Sequence, residues 1–176
     1  MIIPNLLIIA GTGTNSGKTA MVCRIIKGMP DLMITAIKIS PYFHETTSGL
    51  IVTIKKEGYI IYEETNTGTN KDTSRMLRAG AEKVFFAKVL DYKLFDAFKE
   101  IMKTIPEGIP VICESPALRN FVEPGLFIIM TSETIRNHKN INHLQALPHV
   151  MFKLEDMEEP DSLPICFRDG RWLQKV

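Results

Sequence analysis

The sequence predicts an α/β fold: a mostly parallel sheet with helices on both faces, plus an inserted β-hairpin, in one domain spanning residues 1–176. Three observations carry this. Short apolar runs alternate with stretches of helical spacing along most of the chain. A glycine-rich turn follows the first apolar run and leads into a helical segment. Two apolar arms, 50–54 and 59–62, flank Lys55-Lys56-Glu57-Gly58, the pattern of a hairpin.

Each element has its own local reason. Residues 6–10 form a continuous apolar run, as expected of a strand covered on both faces. Residues 18–27 place Met21, Val22, Ile25 and Ile26 on one helical face, and Gly28 and Pro30 end that helix. Residues 33–39 read as a second strand. After the hairpin and a polar loop at 65–69, Asn70 or Asp72 can cap a helix to about Ala79, with Gly80 closing it. Residues 83–89 are another strand, and 92–105 have helical spacing through Leu94, Phe95, Phe98, Ile101 and Met102. Short strands are expected at 111–113 and 126–130. Residues 131–149 are polar, with a loop and a short helix as the expectation, and 164–173 read as a small hairpin around Asp169-Gly170.

Composition narrows the function. Of 176 residues, 45% are hydrophobic and 23% charged, an ordinary balance for a chain with a core. Lys plus Arg is 21 against 20 for Asp plus Glu, so the net charge of +1 lacks the basic excess typical of nucleic-acid binding. Cys23, Cys113 and Cys166 are far apart and form no C-x-x-C pair, so neither a zinc site nor a redox pair is suggested. The apolar N-terminal run is too short to span a bilayer and lacks a basic leader, so no membrane role and a cytoplasmic location are expected.

The strongest signal is Gly11-Thr12-Gly13-Thr14-Asn15-Ser16-Gly17-Lys18-Thr19. A loop that wraps phosphates needs backbone N–H groups turned inward, which small residues permit. A helix starting near Gly17 adds its positive dipole end. Lys18 can then reach the β and γ phosphates, and the Thr19 hydroxyl can hold Mg²⁺. The expectation is a three-layer P-loop NTPase fold that binds a nucleoside triphosphate through residues 11–19. The alternative is a glycine turn that closes a strand–helix unit without ligand.

The general pattern has glycine five residues before Gly17; here that position is Thr12, and glycine stands one residue earlier, at Gly11. This spacing resembles dethiobiotin synthetases and cobyrinic acid a,c-diamide synthases. Ala36-Ile37-Lys38 stands where that superfamily has a lysine facing the phosphates. Further along, Ile37-Lys38-Ile39-Ser40-Pro41-Tyr42-Phe43-His44-Glu45 and Lys71-Asp72-Thr73-Ser74-Arg75, ending in Ala79-Gly80-Ala81, resemble the molybdopterin-guanine dinucleotide biosynthesis protein B family. Glu114 matches the acidic end of the Walker B-like strand in both groups. Ser115-Pro116-Ala117 follows it in place of the Gly-Ala-Gly-Gly typical of dethiobiotin synthetases. No Asn-Lys-x-Asp guanine motif occurs; Asn137-His138-Lys139-Asn140 is a distant echo.

The catalytic set expected on these grounds is Lys18, Lys38, Asp72 and Glu114, with Thr19, Asp72 and Glu114 holding Mg²⁺ through hard oxygen donors. The resembling synthetases have an aspartate where Asp72 stands; its alternative role is a plain helix cap. Glu114 could instead be a surface carboxylate, and Lys38 a side chain reaching solvent. Arg75 and Arg78 could bind a small anionic second substrate, or line a solvated face. His44 and Glu45 are further candidates for catalysis or metal binding. The resemblance implies a GTP- or ATP-binding accessory protein with slow hydrolysis, serving a cofactor-assembly partner. An ATP-dependent ligase or kinase, and a nucleotide-dependent binding module, are the alternatives. The hairpin, apolar on both faces and without a following helix to cover it, is expected to contact a second copy of the chain; the resembling family also forms dimers.

Overall fold

A computed structural model describes residues 1–41, 46, 48–157 and 163–175. The described residues form an eight-stranded mixed sheet. Its strands are β1 (Ile2–Gly11), β2 (Thr35–Pro41), β3 (Leu50–Lys56), β4 (Tyr59–Glu64), β5 (Lys83–Val89), β6 (Val111–Glu114), β7 (Glu123–Thr131) and β8 (Val150–Lys153). The order across the sheet is β3-β4-β5-β2-β6-β1-β7-β8. From β5 to β8 every neighbouring pair is parallel. The β3–β4 and β4–β5 pairs are antiparallel. A separate two-stranded hairpin is made by β9 (Ile165–Arg168) and β10 (Arg171–Gln174).

The helices are α1 (Lys18–Gly28), α2 (Asp72–Arg78), α3 (Leu94–Thr104) and the single-turn α4 (Asn142–Gln145). Two apolar layers separate them from the sheet. On one side Leu7, Ile9, Ala36 and Ile112 pack with Met21, Val22, Ile25 and Ile26 of α1, Met76 of α2 and Trp172 of β10. On the other side Ile8, Ile37, Phe85 and Cys113 pack with Leu94, Phe98 and Ile101 of α3 and Leu144 of α4. The period-two alternation of a strand divides its residues between these layers. Helices on both faces are what the runs of apolar strand residues require.

Element boundaries shift modestly from the sequence reading. The 92–105 stretch starts as a 3₁₀ turn over Asp91–Lys93 before α3 begins. Lys71, neither Asn70 nor Asp72, occupies the cap position of α2; Asp72 is its first helical residue. Gly80 closes that helix with φ of 109°, the left-handed geometry expected of a C-terminal glycine. The four-residue strand β8 has no counterpart in the sequence reading. The tail hairpin does, and it turns on Asp169 and Gly170, both at positive φ. Its Trp172 is buried and its indole N–H donates to the carbonyls of Asn5 (3.0 Å) and Val111 (3.1 Å). That stitches the tail to the entry end of β1 and β6.

The hairpin expectation needs a correction. The arms are β3 and β4 as read, but β4 is not an uncovered ribbon. It joins the sheet through β5, with Tyr62 opposite Phe86 and Ile61 opposite Ala87. Tyr59 and Ile61 are buried in the same layer as Leu94 and Phe98 of α3. The cover comes from a helix further along the chain, which local pattern cannot reveal. Of the two arms, β3 is the open one: Ile51 is 58% and Val52 53% exposed, and among the described residues no strand pairs with its outer edge. Among the described residues no helix is long and apolar enough to cross a membrane.

Candidate functional site

The carboxyl ends of β1, β2 and β6 lie side by side at the middle of the sheet, and open α/β sheets bind ligands at such ends. Residues 11–19 run from the last residue of β1 to the first turn of α1. Gly17 holds the helix entry at φ of 86°, and no side-chain hydrogen bond caps it. The uncapped N–H groups of the first turn are therefore available to an anion.

The displaced glycine has a steric reason. A Cβ on Gly11 would lie 2.0 Å from Ser16 Oγ and 3.0 Å from Lys18 Cδ, so the loop closes over position 11. Thr12 is tolerated because its side chain turns away. Its hydroxyl donates toward Thr131 Oγ1 (3.3 Å), and its N–H bonds the Met130 carbonyl (3.0 Å) on β7. Gly13 has its own constraint, since a Cβ there would meet Ile135 Cγ2 at 2.6 Å.

Lys18 folds back across the loop and donates to the Gly13 carbonyl (3.1 Å) and Ser16 Oγ (3.2 Å). Burial lowers its pKa below the ordinary value, opposed by the Glu114 charge and aided by Lys38 and Lys139. A crowded, partly desolvated ammonium of this kind gains from an anion.

The remaining candidates meet beside it. β2 and β6 pair with Lys38 in register with Glu114. Both fall on the α1–α2 side of the sheet, two positions after Ala36 and Ile112. Glu114 is only 6% exposed, so it is no surface carboxylate. Its Oε2 accepts from the Thr19 hydroxyl at 2.7 Å, and its Oε1 accepts from Lys38 Nζ at 3.1 Å. Lys38 also donates to Asp72 at the start of α2, and Arg75 lies 3.6 Å from the other Asp72 oxygen. Lys38 is thus largely buried between two carboxylates and does not reach freely to solvent.

The electrostatics follow from this triad. Burial alone would lower the Lys38 pKa; the Glu114 and Asp72 charges and their hydrogen bonds outweigh it and hold the pKa above the ordinary value. Burial pushes the Asp72 carboxyl up, but the Lys38 charge and hydrogen bond, with Arg75, hold it below the ordinary value.

All four expected catalytic residues, with Thr19, therefore converge on one cleft of about 590 Å³. Ser40, Pro41, Arg75, Pro116, Lys139 and Leu154 also line it. Arg78 goes elsewhere, donating to the Thr67 and Thr69 carbonyls of the loop before α2. His44 and Glu45 lie outside the described residues. Among those described, no cluster of three or more His, Cys, Asp or Glu side chains could hold a metal unaided. The donor set of Thr19, Asp72 and Glu114 is all oxygen, and it suits Mg²⁺, which keeps waters and takes phosphate oxygens alongside one or two carboxylates.

Sequence reasoning missed Lys139 and Leu154. The segment after β7 pairs with the glycine loop itself. Thr14 N–H donates to the Arg136 carbonyl (2.8 Å), Arg136 N–H returns to Thr14 (3.1 Å), and Lys139 N–H reaches the Thr12 carbonyl (2.9 Å). Asn137 turns there at φ of 52°. The only sequence signal was the Asn137–Asn140 echo, which carries no information on pairing. Leu154 packs over Gly17, where a Cβ would meet its Cδ1 at 2.8 Å.

Compared with protein-family models, with curated proteins and with solved structures, the chain finds no match, so a functional reading stands on the geometry of this cleft.

Proposed function

We propose that this chain is a P-loop NTPase: it binds GTP or ATP with Mg²⁺ at residues 11–19 and hydrolyses it slowly, in an accessory role of the molybdenum-cofactor-biosynthesis type. The observation that carries the reading is the convergence of Lys18, Thr19, Lys38, Asp72 and Glu114, drawn from four separate elements (α1, β2, α2 and β6), on the mouth of one glycine loop. The cleft volume lies within the roughly 300–1,000 Å³ usual for small-molecule sites.

In this reading the loop N–H groups and the α1 N-terminus hold the phosphates, and Lys18 leaves the Gly13 carbonyl to neutralise the outer ones. Thr19, Glu114 and Asp72 hold Mg²⁺ directly or through water. When bound, the metal supplies positive charge to phosphate oxygens. Lys38 balances the two carboxylates and stands within reach of the same phosphates. Catalysis is then placement and charge stabilisation, with little covalent work for the protein. The cofactor-assembly role rests on the resemblance of residues 37–45 and 71–81 alone.

Arg75 favours a second reading. It faces the cleft beside Asp72, together with Ser40 and Pro41 of β2. A small carboxylate or other anionic substrate held there would receive the γ-phosphoryl group, the chemistry of a ligase or kinase. The open edge of β3 supports association of two copies, since an unpaired strand with exposed apolar residues recruits another.

Titration with a fluorescent triphosphate tests the core claim. Lys18→Ala should abolish tight binding and keep the fold; unchanged affinity would sink the phosphate site. Phosphate release measured with and without small acids separates the readings: basal release supports hydrolysis, strict acceptor dependence supports transfer.

A further inference from the structure

Asp72 belongs to a short helix reached through a loop without regular structure. α2 has seven residues, and no side-chain hydrogen bond caps its start. Residues 65–71 before it contain neither helix nor strand. A carboxylate at the first position of such a helix is free to drift unless something ties the turn to the sheet. Metal sites tolerate little drift, because outer hydrogen bonds fix where the ligands stand.

Lys38 on β2 holds the Asp72 carboxylate itself, and the turn that carries Asp72 is tied in addition by Glu64, the last residue of β4. Glu64 is 3% exposed, and both its carboxylate oxygens are used. Oε2 accepts from the Thr73 hydroxyl at 2.7 Å, and Oε1 accepts from the Asn66 N–H at 2.9 Å. Thr73 is itself buried and adjoins Asp72. The strand end is held in turn, since Glu64 faces Leu50 on β3 and its neighbour Glu63 faces Phe85 on β5. A buried carboxylate is costly to desolvate, and apolar residues would pack the same space more cheaply. A carboxylate here makes sense as a fixed point for the helix start.

We infer that Glu64 is a positioning residue: through Thr73 it fixes the first turn of α2, so that Asp72 stands at the metal-binding mouth of the cleft. This rests on the proposed Mg²⁺–nucleotide site. The hairpin at the sheet edge thereby connects to the centre through the chain Glu64–Thr73–Asp72–Lys38–Glu114.

The test is the MgCl₂ concentration giving half-maximal enhancement of fluorescent triphosphate binding, at a temperature well below each variant's Tm. Thr73→Val, which removes the hydroxyl at constant shape, should raise it about tenfold, the low end for a broken outer-ligand contact. Affinity in EDTA should stay at the wild-type value. Thr73→Ser, which restores the hydroxyl, should return wild-type Mg²⁺ dependence. If Thr73→Val does not fold, Glu64→Gln, which keeps volume and one acceptor, should move the same midpoint in the same direction. A lowered Tm with an unmoved midpoint would make Glu64 a structural anchor only and overturn the inference. Failure of the site itself looks different: the wild-type protein would then show no Mg²⁺ enhancement, and Lys18→Ala would change nothing.

Discussion

Replacing Lys38 by Met isolates the charge at the centre of the site, because Met keeps most of the length and apolar stem. The lysine ammonium serves Glu114 at 3.1 Å and also pairs with Asp72. Without it Glu114, nearly inaccessible to water, keeps only the Thr19 hydroxyl as a described hydrogen-bond donor. Removing one partner of a buried ion pair costs about 3–5 kcal/mol. Thr19 still satisfies one Glu114 oxygen, and Arg75 still faces Asp72, which is itself part-exposed. The lower end, about 3 kcal/mol, is therefore expected. For a chain of this size that lowers Tm by about 6–12 °C. The pH dependence has a definite sign. The Asp72 pKa is depressed, so its share is present above the ordinary 3.8 and is lost as pH falls through the folded value. The Lys38 pKa is raised, so its share is present below the ordinary 10.5 and is lost as pH rises through the folded value. Thermal melts of both proteins should thus differ by a constant amount between about pH 5 and pH 9, with the gap narrowing at both extremes. In a Glu114→Gln background the same substitution should cost much less, because the uncompensated charge is gone. A Tm drop below about 2 °C at pH 7, or an equal cost in both backgrounds, would refute the idea that this ion triad organises the site.

Two further outcomes are expected. Glu114→Gln and Asp72→Asn should weaken nucleotide binding with Mg²⁺ more than binding in EDTA, since each removes a charged oxygen donor from a hard cation; equal losses in both conditions would leave these carboxylates structural. Sedimentation of the native chain at micromolar concentration should show a dimer that Ile51→Asp with Val52→Asp dissociates, and a native monomer, or a double variant of unchanged mass, removes the β3 edge as the contact.

Much of this architecture is legible locally. The β5 strand falls on its apolar run, and α1 on its apolar face, because a residue's tendency to lie on a buried strand or helix face depends on neighbours in sequence. The loop is legible for the same reason: Gly11, Gly17, Lys18 and Thr19 act within one turn of chain. The candidate metal carboxylates are half legible. Asp72 and Glu114 stand at a helix start and a strand end, positions a pattern can suggest. That they share one lysine cannot be read from any window.

What the sequence alone determined, then, is the order of strands and helices apart from β8, the glycine loop with its lysine and threonine, and the residue types that face the core. The tertiary structure decided which distant positions meet. Thr19 of α1 and Glu114 are joined across 95 residues, and Lys38 and Glu114 across 76 through the parallel register of β2 and β6. It also decided that β4 is covered by α3, that β8 adds an edge strand, and that the polar segment after β7 pins the glycine loop through main-chain bonds to Thr12 and Thr14. The physical reason is common to all three. Backbone hydrogen bonds are blind to side-chain identity, and burial depends on the partner surface. Both are settled only when the sheet assembles and its strands choose their neighbours.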